Sequence, residues 1–203
     1  DLTLLTPEER AQQLQAWNPS GELRWPDRGL VGWFEATAAR RGAAEAVRCG
    51  DAALSYAELD AAGNRLARYL ISRGVRPGAR VGLLLEGSVE LVVGIVGILK
   101  AGATYVPLDP THPQERQDYV LADAGCAVVV TDSALAGRLS GPVQAVCVDR
   151  DAAAIGAQAP DALGLDDAAA AERLRTRFTE LHHALRRDTA RAATDAIAHV
   201  LGA

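Results

Sequence analysis

Between residues 80 and 148 four short, unbroken apolar runs alternate with segments of helical periodicity, and this restricts the possible folds more than any other feature. The runs are residues 80–85 (RVGLLL), 103–108 (ATYVPL), 126–131 (CAVVVT) and 143–148 (VQAVCV). A strand with one wet face alternates apolar and polar residues, whereas a strand buried on both faces does not. Residues 88–101, very apolar, and 113–123 separate the runs and read as helices. Strands and helices in this order form a parallel sheet covered on both sides, with right-handed crossovers.

Upstream the signals are local. Thr6-Pro7-Glu8-Glu9 starts a helix, with Thr6 as cap, Pro7 in the first turn and Glu9 closing a capping box. That helix is expected to run to about residue 15 before Trp17-Asn18-Pro19-Ser20-Gly21 breaks it. Residues 1–29 therefore read as a linker. Leu30, Val31, Phe34 and Ala38 give residues 30–41 an amphipathic pattern. Residues 44–55 alternate around Gly50-Asp51 as a hairpin does. Ser55 and Glu58 form a second capping box, opening a helix that presents Leu59, Leu66, Ala67 and Leu70 and stops at Gly74.

The character changes after Asp149. Residues 150–165 are Ala, Gly, Pro and Asp with few large apolar groups, a linker composition. Residues 166–201 contain no glycine or proline and read as one long helix, or as a helical hairpin broken near Asp188, so that 166–203 is a helical extension. Leu174, Phe178, Leu181 and Leu185 recur at spacings of four, three and four, a narrow apolar stripe that needs something to bury against.

The chain's 203 residues, 49% of them hydrophobic, can bury a core without metals or disulfides. A net charge of −5 with interspersed signs points away from nucleic acid and anionic membrane surfaces. No run approaches the ~20 apolar residues of a membrane span, and no signal peptide opens the chain. Cys49, Cys126 and Cys147 form no CxxC pair, and reduced thiols in a cytoplasmic protein are the expectation.

Candidate chemistry is sparse. Gly74, Gly78 and Gly87 fit neither GxGxxG nor GxxxxGK[ST], and Gly74 and Gly78 read as turn glycines. Adjacent His182 and His183 point about 100° apart on a helix, and neither they nor His199 form an i, i+4 metal pair. Asp60, Asp118, Asp123 and Asp132 lack paired-carboxylate spacing, and there is no GxSxG. Lys100 is the one lysine among 21 basic residues. It stands in the last turn of the 88–101 helix, where it suits the negative end of the helix dipole; the alternative is contact with a phosphate or a carboxylate.

Several segments together resemble the adenylation domains of nonribosomal peptide synthetases. Leu54-Ser55-Tyr56-Ala57-Glu58-Leu59 is similar to the family's first core motif, and residues 99–109 (LKAGATYVPLD) to its second almost letter for letter. Asn64-Arg65-Leu66-Ala67 between them fits as well, as do Pro113, Arg116, Tyr119, residues 121–124 and Val130-Thr131 after them. Residues 4–10 and Trp17-Asn18 resemble the linker between a condensation and an adenylation domain. The resemblance covers residues 1 to about 149.

It implies a partial flavodoxin-like layered parallel sheet, with linker 1–29 and subdomain 30–149; composition adds linker 150–165 and the helical C-terminal extension 166–203. It also implies what is missing. The family's phosphate loop, rich in Ser, Thr and Gly and ending in Pro-Lys-Gly, does not occur after residue 149, nor do the amino-acid pocket, the ribose-binding aspartate, the hinge or the lysine of the mobile C-terminal subdomain. No catalytic, cofactor-binding or metal-ligating residue is therefore expected; ATP and Mg belong to a complete family member. Expected interaction residues are Trp17 toward an adjoining condensation domain or other synthetase domain, and Leu174, Phe178, Leu181 and Leu185 in the extension. The leading expectation is a truncated, inactive platform. The alternatives are the front half of an interrupted active domain, and a module that recruits a partner or a second copy through its C-terminal helix.

Overall fold

The structure, a computed structural model, describes residues 6–12 and 29–163. Helix α1 (Pro7–Ala11) starts as its capping box requires. The Thr6 hydroxyl accepts from the Glu9 amide, and the Glu9 carboxylate takes the Thr6 amide at 2.8 Å. After α2 (Gly29–Arg41), strands β1 (Glu45–Cys49) and β2 (Ala52–Ser55) form the expected antiparallel hairpin. Its turn needs Gly50, whose φ of +58° is strained for any residue with a Cβ.

Helix α3 (Tyr56–Ser72) is opened by Ser55, whose hydroxyl accepts from the Glu58 amide while Glu58 accepts from the Ser55 amide. Ser55→Ala is expected to cost about 1 kcal/mol, read as a lower urea midpoint with unchanged slope. An unchanged midpoint would show that packing alone sets this helix start.

Strand β3 (Arg80–Leu83), helix α4 (Val89–Lys100), β4 (Thr104–Pro107), α5 (Gln114–Ala124), β5 (Val128–Thr131), a short α6 (Ser133–Ala136), β6 (Gln144–Cys147) and α7 (Ala152–Gly156) follow. The four later strands make one parallel sheet in the order β4-β3-β5-β6. Their central positions are sealed: Val81, Leu83, Val129, Val130 and Val146 are all buried. One face packs on α3 and α4 through Leu66, Leu70, Val81, Leu83, Ile98 and Val130. The other packs on α5 and α6 through Leu84, Leu121, Val129 and Leu135. The class is α/β, as the unbroken apolar runs required.

Two readings change. Strand β3 ends at Leu83 although Leu84 and Leu85 stay buried, and Leu84 still donates to Val130 O at 2.9 Å. The linker composition of residues 150–165 does not keep its described part, 150–163, off the fold: α7 packs against α3, and Ile155 and Leu163 lie half-buried on the main cluster. From α3, Asn64 Nδ2 donates to Pro160 O (2.7 Å), and Arg68 donates to the carbonyls of Ala159, Asp161 and Ala162 (3.2, 3.0 and 3.3 Å).

Candidate functional site

In an open parallel sheet a ligand sits beyond the carboxyl ends of the strands, where the chain changes direction across the sheet. Here the change falls between β3 and β5, because β4 lies to one side of β3 while β5 and β6 lie to the other. The rim past the strand ends is acidic: Glu86 follows β3, Asp109 follows β4, Asp132 follows β5, and Asp149 and Asp151 follow β6.

Four of these carboxylates serve the backbone. Asp109 Oδ1 accepts from the Thr111 hydroxyl (2.7 Å) and amide (2.8 Å), which hold the Asp109 carboxyl below the usual carboxylate range. Asp132 Oδ1 takes the Leu135 amide (2.7 Å) and caps α6. Asp149 reaches back to the Ser133 amide at 3.0 and 3.1 Å, fastening β6 to the start of α6. The Arg150 amide, then the hydroxyl and amide of Ser133, hold the Asp149 carboxyl low. Asp151 Oδ2 accepts the outward Cys147 amide (3.0 Å), and the Asp151 amide donates to Cys147 O (2.8 Å). That closes the end of edge strand β6 to strand addition.

Two cations near the rim are engaged as well. Arg150 pairs with Asp151 at 3.4 Å, and Arg138 donates to the carbonyls of Pro110 (2.6 Å) and His112 (3.1 Å). Beside the end of β4 lies an open groove of about 350 Å³ lined by Pro107, Leu108, Asp109, His112, Arg116, Gln117 and Val120. Gln117 is buried; its amide donates to Asp109 O (2.9 Å) and His112 O (3.1 Å), stitching the loop before α5. The oxygen of that amide has no partner and is sealed from solvent, so it offers nothing to a ligand in the groove.

Lys100 is far from this rim by topology. A crossover helix runs antiparallel to the strands it joins, so the last residue of α4 stands at the amino end of the sheet, roughly 18 Å of helix from its start. Its place in the final turn is as expected, but its ammonium goes to carboxylates of its own chain. It pairs with Glu35 of α2 and, at 3.0 Å, with Asp60 of α3, and lies 5.9 Å from the Phe34 ring centre. The Lys100 side chain is 1% exposed, against 36% for Glu35 and 26% for Asp60. The lysine is the desolvated partner, and one cation ties three helices together.

Trp17, Leu174, Phe178, Leu181 and Leu185 lie outside the described residues, as do His182, His183 and His199. Among the described residues no group of three or more His, Cys, Asp or Glu could hold a metal ion, and no helix is long and apolar enough to cross a membrane. The residues that sequence reasoning missed are Glu35, which carried no signal beyond its charge, and Asn64 and Arg68, of which Asn64 lies within a noted motif that had no role assigned.

Burial pushes the thiols of Cys126 and Cys147 up, while Cys49 is exposed, its Sγ 3.4 Å from Gly87 O. Under native conditions at mildly alkaline pH, iodoacetamide is expected to add one label, at Cys49, and three after denaturation. Rapid native labelling of Cys147 would show that the end of β6 opens.

Comparison with known proteins places this geometry. The family described as AMP-binding enzyme matches residues 34–198, beyond residue 149 where the recognisable motifs stop. A linear gramicidin synthase of Brevibacillus parabrevis is 41% identical over 169 residues, 83% of this chain and 3% of that protein. Bacitracin synthase 3 of Bacillus licheniformis is 41% identical over 132 residues, 65% of this chain and 2% of that protein. The chain thus spans a few per cent of the length of these relatives. Among solved structures, the AMPPNP-bound form of the nonribosomal peptide synthetase FmoA3 aligns with a TM-score of 0.66 and 31% identity, over 78% of this chain and 17% of that one.

Proposed function

Since the chain belongs to the AMP-binding enzyme family and corresponds to the N-terminal part of a nonribosomal peptide synthetase adenylation domain, we propose that it serves as a non-catalytic platform against which neighbouring synthetase domains are held. The observation that carries this reading is the commitment of Lys100. Activating a carboxylate with ATP requires phosphate charge to be neutralised and both reactants positioned. The only lysine is buried at the amino end of the sheet between Glu35 and Asp60. The rim where a nucleotide would lie carries Glu86, Asp109, Asp132, Asp149 and Asp151; Arg150 and Arg138 there bind a carboxylate and backbone carbonyls, and Arg116 in the groove lies over the Tyr119 ring. An acidic rim of this kind opposes the approach of a triphosphate.

The partner this reading names is an adjoining condensation domain, contacted through residues 1–29 with Trp17. Affinity of the full chain for that domain, measured by titration, is expected to be lost when residues 1–29 are deleted; unchanged affinity excludes the platform. The reach of the family match to residue 198 supports a second reading, the front half of an interrupted adenylation domain. Intact mass and sequence of the natural polypeptide separate the two. Continuation into a Ser/Thr/Gly-rich loop ending in Pro-Lys-Gly selects the second, and its absence selects the first.

A further inference from the structure

Residues 159–162 present an unusual combination of observations. Their side chains, Ala159, Pro160, Asp161 and Ala162, are all exposed, yet all four of their carbonyls accept hydrogen bonds from α3. The donors are one turn apart on a single helix face: Asn64, 0% exposed, and Arg68. Arg68 uses the fork of its guanidinium, Nε on Ala159 and an Nη on Asp161 and Ala162, a geometry a lysine cannot reproduce. Half-buried Ile155 on one side and Leu163 on the other pin the ends of the strap to the core.

We propose that Asn64 and Arg68 form a main-chain clamp, an interaction surface whose partner is an extended segment of this chain recognised by its carbonyls rather than its side chains. The clamp fixes the course on which the polypeptide leaves the parallel sheet, and so the point from which whatever follows residue 163 departs. Recognition through the backbone accounts for a segment that is docked although its Ala, Pro and Asp side chains bury nothing. The clamp does not depend on the platform reading and holds equally for a catalytically complete parent.

The test is limited proteolysis of the full chain with elastase, which cuts after small residues, with cleavage at Ala157 and Ala162 followed by mass spectrometry. Cleavage at Ala52 and Ala53 in β2 serves as the gauge of global opening. Arg68→Met is expected to speed cleavage in the strap by about ten-fold or more with no change in β2. Arg68→Lys is expected to recover little, because one ammonium cannot span three carbonyls. Arg65→Met, which removes a nearby charge that bonds to no strap carbonyl, is expected to leave the rate unchanged, as is Ala162→Ser when read at Ala157. A wild-type rate for Arg68→Met overturns the clamp. So does an equal rise with Arg65→Met, which would make the effect one of charge, or with Ala162→Ser, which would make it one of side chains. Parallel acceleration in β2 overturns it too, since the loss would then be global.

Discussion

Removing both carboxylates from around Lys100, as Glu35→Ala with Asp60→Ala, is expected to destabilise the fold by about 3–5 kcal/mol, the cost of leaving one buried charge uncompensated. The figure attaches to the lysine because its side chain is 1% exposed while its partners stay in reach of water. Asp60 also accepts from Asn64 Nδ2 at 3.3 Å, so the change loosens the clamp residue as well. Lys100→Met alone is expected to cost about 1–3 kcal/mol, since Glu35 stays hydrated and methionine keeps the apolar stem, but Asp60 Oδ1, sealed from solvent, loses its cation. Adding Lys100→Met to the double variant is expected to restore most of the loss. An apolar side chain of similar volume removes the desolvation penalty along with the charge. Urea unfolding of the four proteins decides. A double variant within about 0.5 kcal/mol of the parent would mean that Lys100 escapes to solvent and does not fasten α2 to α3 and α4.

The second large effect lies where α3 crosses α4. A Cβ on Gly97 would stand 2.7–2.9 Å from the Cδ2, Cγ and Cβ of Leu66. The last of these is fixed to the α3 backbone and cannot turn away. Alanine in a helix gains about 1 kcal/mol over glycine. Overpacking a close-packed contact costs about 1–3 kcal/mol, and with a rigid neighbour the clash wins. Gly97→Ala is therefore expected to lose up to about 2 kcal/mol net of propensity, and Gly97→Val more. Gly94, on the same helix, makes the contrast. Its Cβ would meet Leu83 Cδ1 at 2.7 Å, the free end of a flexible side chain, with nothing else closer than 3.7 Å. Gly94→Ala is expected to be near neutral, within about 0.5 kcal/mol. Equal losses at the two positions would show that neighbour rigidity does not set the sign.

What the sequence made legible was local or periodic. Both capping boxes formed because Thr6 with Glu9, and Ser55 with Glu58, answer each other across three residues. The parallel sheet was readable because doubly buried strands such as Val128–Thr131 leave no polar alternation. Lys100 stands in the expected turn of the expected helix, and the sequence allows it a carboxylate without saying which. The dipole of its own helix is visible in the sequence, whereas Glu35 lies 65 positions upstream and meets it only in the fold. Helix α6 escaped notice because four residues carry no period; Asp132 is its cap. The docking of residues 159–162 was unreadable for a different reason, since every residue has a carbonyl and composition is silent about which are held. The apolar stripe at Leu174, Phe178, Leu181 and Leu185 falls outside the described residues.

The most direct test of the platform reading is a calorimetric titration of the full chain with ATP and magnesium at low ionic strength, repeated with Lys100→Met. With its lysine held by Glu35 and Asp60 and its sheet rim acidic, the chain is expected to show no saturable heat up to about 1 mM nucleotide, in both forms. Saturable binding in the micromolar range, lost in Lys100→Met, would contradict it and make Lys100 a nucleotide ligand.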